Sequence, residues 1–110
     1  MQCSKISRVH YHSGMTKKSD FNFFHTLRVR WAEVDLQRVV FNGNYLLYFD
    51  VAFTEYWRAT GLRDPLGQQA AGQELFVRKA QIEYHGSAGF DEELDIGVRC
   101  ATIGRSSMTI

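Results

Sequence analysis

The hydrophobic periods along this chain predict an α+β domain, an antiparallel sheet wrapped around one long central helix. Three observations carry that expectation. Residues alternate from Phe23 to Trp31, an apolar run of helical length follows Asn44, and alternation returns after Leu75.

In the first strand Leu27, Val29 and Trp31 share one face and Thr26, Arg28 and Arg30 the other, as a half-buried strand requires. Glu33 to Gly43 breaks the period and reads as a loop, with Glu33 facing solvent at the strand end. Asn42, Gly43 and Asn44 suit a helix start, because an Asn side-chain oxygen caps unpaired N–H groups of the first turn. The helix is expected to run to about Thr60, with Gly61 in the left-handed position beyond it and Pro65 further on. Tyr45, Phe49, Ala52, Phe53 and Tyr56 fall on one face, Leu47 and Val51 on the far side, so most of its circumference demands cover.

A small, polar connection, Arg63 to Gln73, leads to a second strand over Leu75 to His85 and a turn at Gly86 to Asp91. A third strand carries Leu94, Ile96, Val98 and Cys100 on its inner face. Gly104-Arg105-Ser106 marks a turn, and Ser107 to Ile110 begins a fourth strand. Three strands and a stub give little cover for so apolar a helix. The domain, residues 21–110, is therefore expected to be C-terminally incomplete and to form a homo-oligomer. Residues 1–20 are expected to be a disordered N-terminal extension, with Met15 an ordinary alternative start and no role for His10 or His12.

Composition narrows the function. At 110 residues with 45% apolar and 14% aromatic side chains, the chain has one globular core. A net charge of +1 lacks the basic excess of a nucleic-acid binder. No run approaches the roughly 20 apolar residues of a membrane span, and the tail has no secretory h-region. Cys3 and Cys100 are far apart and no His cluster has ligand spacing, which argues against a metal site or a disulfide framework and for a reducing, cytoplasmic compartment.

Asp35 is the main candidate for chemistry. It lies in a loop before a helix start, where unpaired N–H groups and the helix dipole favour developing negative charge. A thioester or ester carbonyl there would find oxyanion donors, and Asp35 would act as nucleophile or as general base toward water. Neither role needs a metal or another cofactor. The bland alternative is a solvated loop carboxylate. Ser87, Ser106 and Ser107 lack a nucleophile-elbow context, and His85 has no nucleophile beside it. His25 has inward-facing strand parity and reads as a satisfied or edge histidine, and Cys100 reads as packing.

The run Val-Arg-Trp-Ala-Glu-Val-Asp-Leu-Gln-Arg-Val-Val-Phe-Asn-Gly-Asn-Tyr-Leu, from Val29 to Leu46, resembles the signature of the hotdog-fold acyl-CoA thioesterases of the 4-hydroxybenzoyl-CoA thioesterase/YbgC-like group. Phe-Val-Arg-Lys-Ala-Gln-Ile-Glu-Tyr-His and Asp-Glu-Glu-Leu-Asp-Ile are similar to that group's second and third strands, so the likeness covers about Phe24 to Ile110. It implies a sheet wrapped on a central helix, sites built between paired subunits of a homodimer or homotetramer, and hydrolysis of acyl-CoA. By position it assigns the catalytic carboxylate to Asp35, carbonyl polarisation to the backbone at Asn42 and Gly43, and an acyl contact to Asp50, otherwise a polar position on the helix flank. Glu33 would raise the pKa of Asp35 if the two were close.

Two positions depart from the pattern. Arg38 stands where relatives usually have Gly, which suggests a left-handed turn that Arg resists by about 1 kcal/mol. Asn42 replaces a His or Tyr, harmless if only its backbone acts. The competing expectations are a non-catalytic module that binds acyl-CoA or an acyl carrier, with Arg38 having spoiled the loop, and a truncated relative without chemistry.

Overall fold

The computed structural model describes residues 2–5, 18–61 and 75–110. The Arg63 to Gln73 connection with Pro65, and most of the N-terminal extension including Met15, lie outside them. Strand β1 (Gln2–Lys5) and β2 (Phe23–Arg28) flank β3 (Glu93–Val98) in an antiparallel sheet of order β1-β3-β2. Helix α1 (Asn44–Ala59) comes between β2 and β3 in the chain, and β4 (Thr102–Ile103) pairs with β5 (Met108–Thr109) around Gly104.

Register decides the two faces of the sheet. Phe23, His25 and Leu27 oppose Val98, Ile96 and Leu94, while Phe24, Thr26 and Arg28 oppose Gly97, Asp95 and Glu93. The first set faces the helix. Leu94, Ile96 and Val98 pack with Val29, Val40, Tyr45, Tyr48, Ala52 and Ala88 into one buried cluster. On the outer face Thr26 Oγ1 donates to Asp95 at 2.6 Å and Arg28 pairs with Glu93 at 2.5 Å, pairs that opposed strand positions allow.

Helix α1 ends as its sequence requires. The Thr60 N–H closes the last turn and Gly61 takes φ 77°, the left-handed conformation glycine adopts without a Cβ clash. At the start, no side chain caps the helix: Gly43 is the N-cap residue, and the expected Asn42 side-chain cap is absent. The buried face is Tyr45, Tyr48, Ala52 and Trp57, with Phe49 and Tyr56 partly buried against the same core. Leu46, Leu47 and Val51 stay exposed on the other side. The full cover expected of an apolar helix is therefore not supplied by the described residues.

Three expectations need correction. The strand over Leu75 to His85 does not form; residues 75–84 take no regular structure, although Ile82 touches the core and Tyr84 stacks edge-on against Tyr45. A period of two sets which side chains share a face, but a strand also needs a paired neighbour, and residues 75–84 join neither sheet. The first strand stops at Arg28, so Trp31 leaves its parity, enters a 3-10 turn (Trp31–Glu33) and is 73% exposed, edge-on to Phe90 at 5.1 Å. Within the stretch expected to be a disordered extension, Gln2–Lys5 runs as β1 along β3.

Gly97 marks the tightest approach in the sheet. A Cβ there would lie 2.9 Å from the Phe21 ring and 3.0 Å from Phe24, which itself stacks on Phe21. Phe21 is buried, so its ring has little room to yield. Gly97→Ala should lower unfolding stability by about 1–3 kcal/mol in urea denaturation, the usual cost of overpacking.

Candidate active site

Residues 33–41 fold into a small antiparallel ladder at the entrance to α1. Val34 bridges Val40, the Asp35 N–H donates to Val39 O at 2.9 Å, and the Phe41 N–H donates to Glu33 O at 2.9 Å. The turn between them is closed by the Arg38 N–H on Asp35 O at 2.9 Å, and Arg38 holds φ 62°. This is the left-handed conformation expected of the Gly-preferring position, adopted here by Arg. The loop is not spoiled by the substitution; Arg38 is exposed and the ladder stays intact on both sides.

The ladder is itself pinned. Val40 N–H donates to Ala88 O at 2.8 Å, Val39 bridges Gly89, and the Ala88 N–H donates to the buried Tyr45 hydroxyl at 3.0 Å. The turn before β3 therefore clamps the loop against the first turn of α1.

Asp35 is half-buried, and its Oδ1 accepts the Gln37 N–H at 2.7 Å, a side-chain turn that fixes the carboxylate. Its Oδ2 accepts from no described donor. At the helix start the N–H groups of Asn44, Tyr45 and Leu46 are consumed by the carbonyls of Phe41, Asn42 and Gly43. The N–H groups of Asn42 and Gly43 meet no acceptor among the described residues. These are the donors the helix entrance offers to an anion. Asp35 stands at the turn end of the ladder, and Asn42 follows Phe41 at its other end, at the entrance to α1.

The Asn42 carbonyl accepts the Tyr84 hydroxyl at 3.0 Å, and the Asn44 side chain turns back to donate to Glu33 O at 2.9 Å. Asp50 lies further along α1, exposed on the flank, and its carbonyl accepts the Thr54 hydroxyl. The described residues do not bring Asp50 into contact with Asp35 or Asn42.

Glu33 corrects the sequence reading outright. It does not face solvent but is 9% exposed, with Oε2 accepting from the Tyr48 hydroxyl at 2.6 Å and the Arg30 N–H at 2.8 Å. Oε1 accepts from Arg30 Nε at 2.6 Å, and the guanidinium closes an ion pair on the same oxygen. Burial alone pushes the Glu33 carboxyl up, but the bonds from Tyr48 and Arg30 outweigh it and hold the group below its ordinary 4.5. Burial and then the bond to Glu33 drive the Tyr48 hydroxyl well above its ordinary 10.0. The available sequence signal was an Arg three residues before the Glu; Tyr48, fifteen residues on, carried none.

Two tests follow from this geometry. Gly at position 38 should be more stable than Ala by about 1 kcal/mol in thermal unfolding, because only Ala keeps the left-handed penalty. For Glu33, the folded carboxyl binds its proton less tightly than the unfolded one. Its contribution is complete above about 4.5 and is lost as pH falls through the lower folded value. The stability advantage of wild type over Glu33→Gln should therefore be flat from about pH 7 to about pH 5 and shrink toward pH 3 in a series of melting curves.

Comparison with known proteins bears on the fold. A protein of Aquifex aeolicus (strain VF5), described as a "Putative esterase", is 27% identical over 88 residues, covering 79% of this chain and 67% of its own length. The Thioesterase superfamily matches residues 37–110, from just after Asp35 through the helix and the following strands. With two thirds of its residues in that match, the chain belongs to the thioesterase superfamily, whose fold is the hotdog.

Proposed function

We propose that the protein hydrolyses an acyl-CoA thioester to free acid and CoA, with Asp35 as the reacting carboxylate. The observation that carries this reading is the pairing, on one pinned loop, of a fixed carboxylate whose Oδ2 is unengaged with two unpaired N–H groups at a helix entrance. Membership of the superfamily supports thioester hydrolysis in general; the resemblance of Val29 to Leu46 to the acyl-CoA group narrows the leaving group to CoA.

The N–H groups of Asn42 and Gly43 would receive the thioester oxygen as it gains charge. In the nucleophilic route Asp35 Oδ2 adds to the carbonyl carbon, the C–S bond breaks, CoA leaves as thiolate, and water hydrolyses the resulting anhydride to regenerate Asp35. In the general-base route Asp35 takes a proton from water as its oxygen adds to the carbonyl, and that proton passes to the departing sulfur. Both end on the same products and need no metal. Asp50 is assigned to the acyl portion, from the flank of α1.

The assembly is read as a homodimer or homotetramer. Leu46, Leu47 and Val51 on α1 are exposed, as are Phe76 and Val77, and a further chain would cover such apolar side chains. A cytoplasmic setting suits the widely separated cysteines, and none of the described helices is long and apolar enough to cross a membrane.

The deciding experiment is free-thiol release from short, medium, long and aromatic acyl-CoAs. Wild type should turn over at least one class, and Asp35→Asn should lose about a hundredfold or more in kcat. Equal activity in the two proteins would remove Asp35 from the mechanism. Ligand-dependent thermal stabilisation without turnover would make this a binding module instead.

A further inference from the structure

One buried ionised group is left unused by the proposed hydrolysis. Glu33 grips the helix in two ways. Its carboxylate holds the hydroxyl of Tyr48, which is 3% exposed on the buried face of α1. Its backbone carbonyl holds the Phe41 N–H and the Asn44 side chain, on either side of Asn42 and Gly43. Asp35 is two residues further along the same segment, in the same ladder.

Packing alone does not call for this arrangement. A carboxylate removed from water gives up solvation that an apolar residue of similar size would not, and such groups are often replaceable without loss of stability. What an apolar residue lacks is direction. Glu33 Oε2 accepts from both the Arg30 N–H and the Tyr48 hydroxyl, and Oε1 accepts from the Arg30 guanidinium, so each oxygen has its own directed donors. The 3-10 turn is thus locked to the helix in one rotational setting.

We propose that Glu33, acting through Tyr48, is a positioning residue that fixes the Asp35 carboxylate relative to the N–H groups of Asn42 and Gly43. It does not touch the substrate. This rests on the reading of Asp35 as the reacting group. Attack requires carboxylate, carbonyl carbon and oxyanion donors in register, and a shift of about 1 Å costs about a hundredfold in rate. Gln at 33 cannot replace Glu, because in either orientation its amide nitrogen would face an Arg30 donor, the guanidinium at the Oε1 position or the backbone N–H at the Oε2 position.

The test uses the full chain with Glu33→Gln, Tyr48→Phe and the double variant, beside Asp35→Asn. Two quantities are read: kcat and KM for thiol release from the acyl-CoA that wild type cleaves fastest, and the amide ¹H–¹⁵N signals of Asp35, Asn42 and Gly43. Both single variants should lower kcat about ten- to a hundredfold, leave KM within about threefold and move all three amide signals. The double variant should fall no further than the poorer single, since both act through one contact. Should Glu33→Gln fail to fold, Tyr48→Phe, which removes one hydroxyl, decides alone. Folded variants with kcat within about twofold of wild type and unmoved amides would overturn the proposal while Asp35→Asn remained inactive. If instead wild type releases no thiol, or Asp35→Asn is fully active, the Asp35 reading has failed separately. The amide signals then decide whether Glu33 sets the loop: movement of all three upholds the placement, and unmoved signals refute it.

Discussion

A carboxylate taken out of water has to be met by donors from several directions, and at Glu33 those donors come from different parts of the chain. Arg30 supplies them from the end of the first strand segment, Tyr48 from the second turn of α1. The demand for satisfaction therefore ties strand, loop and helix together at one atom pair. The same residue's carbonyl receives Phe41 and Asn44. Moving the helix entrance relative to the loop would leave a buried charge short of partners, a far larger cost than slippage between apolar surfaces.

The hydrophobic core supplies the complementary constraint. Leu94, Ile96 and Val98 give α1 a surface to lie on, but branched aliphatic side chains tolerate small rotations of a helix above them. Tyr45 and Tyr48 remove that freedom because each carries a hydroxyl with a specific partner, Ala88 N–H for one and Glu33 for the other. The adjacent rings, 5.9 Å apart and edge-on, bury aromatic area while their polar ends reach opposite sides of the loop. Core packing fixes how far the helix sits from the sheet, and the two hydroxyls fix its rotation.

Features that depend on local backbone chemistry were legible in the sequence. Gly61 at a helix end, the alternation in Phe23 to Arg28 and Leu94 to Val98, and the left-handed demand at Arg38 all follow from constraints on one or a few neighbouring residues. That Asp35 and the helix entrance belong to one short segment was legible for the same reason, since both lie within about eight residues of the chain. Burial of Glu33 was not. It depends on Tyr48 being turned toward the loop, which follows from which face of α1 the sheet covers, and the position of the charge alone suggested solvent. The strand over 75–85 failed for a related reason: alternation defines a face, while a strand also needs a paired neighbour, which lies beyond its own sequence.

On the proposed reading of Asp35 as the reacting group, its turn reconciles order with reactivity. A carboxylate held by donors on both oxygens would be well placed but poorly nucleophilic and poorly basic, because each bond to the anion favours its resting form. One left entirely to solvent would react but not be aimed. Here Oδ1 alone is committed, to the Gln37 N–H two residues on, in a turn whose left-handed residue is Arg38. The backbone strain at Arg38 is thereby spent on orienting one oxygen while leaving Oδ2 unengaged. Strain of this kind persists only where surrounding structure over-determines the loop, and the bonds at Val39, Val40, Phe41 and Ala88 supply that determination from both sides.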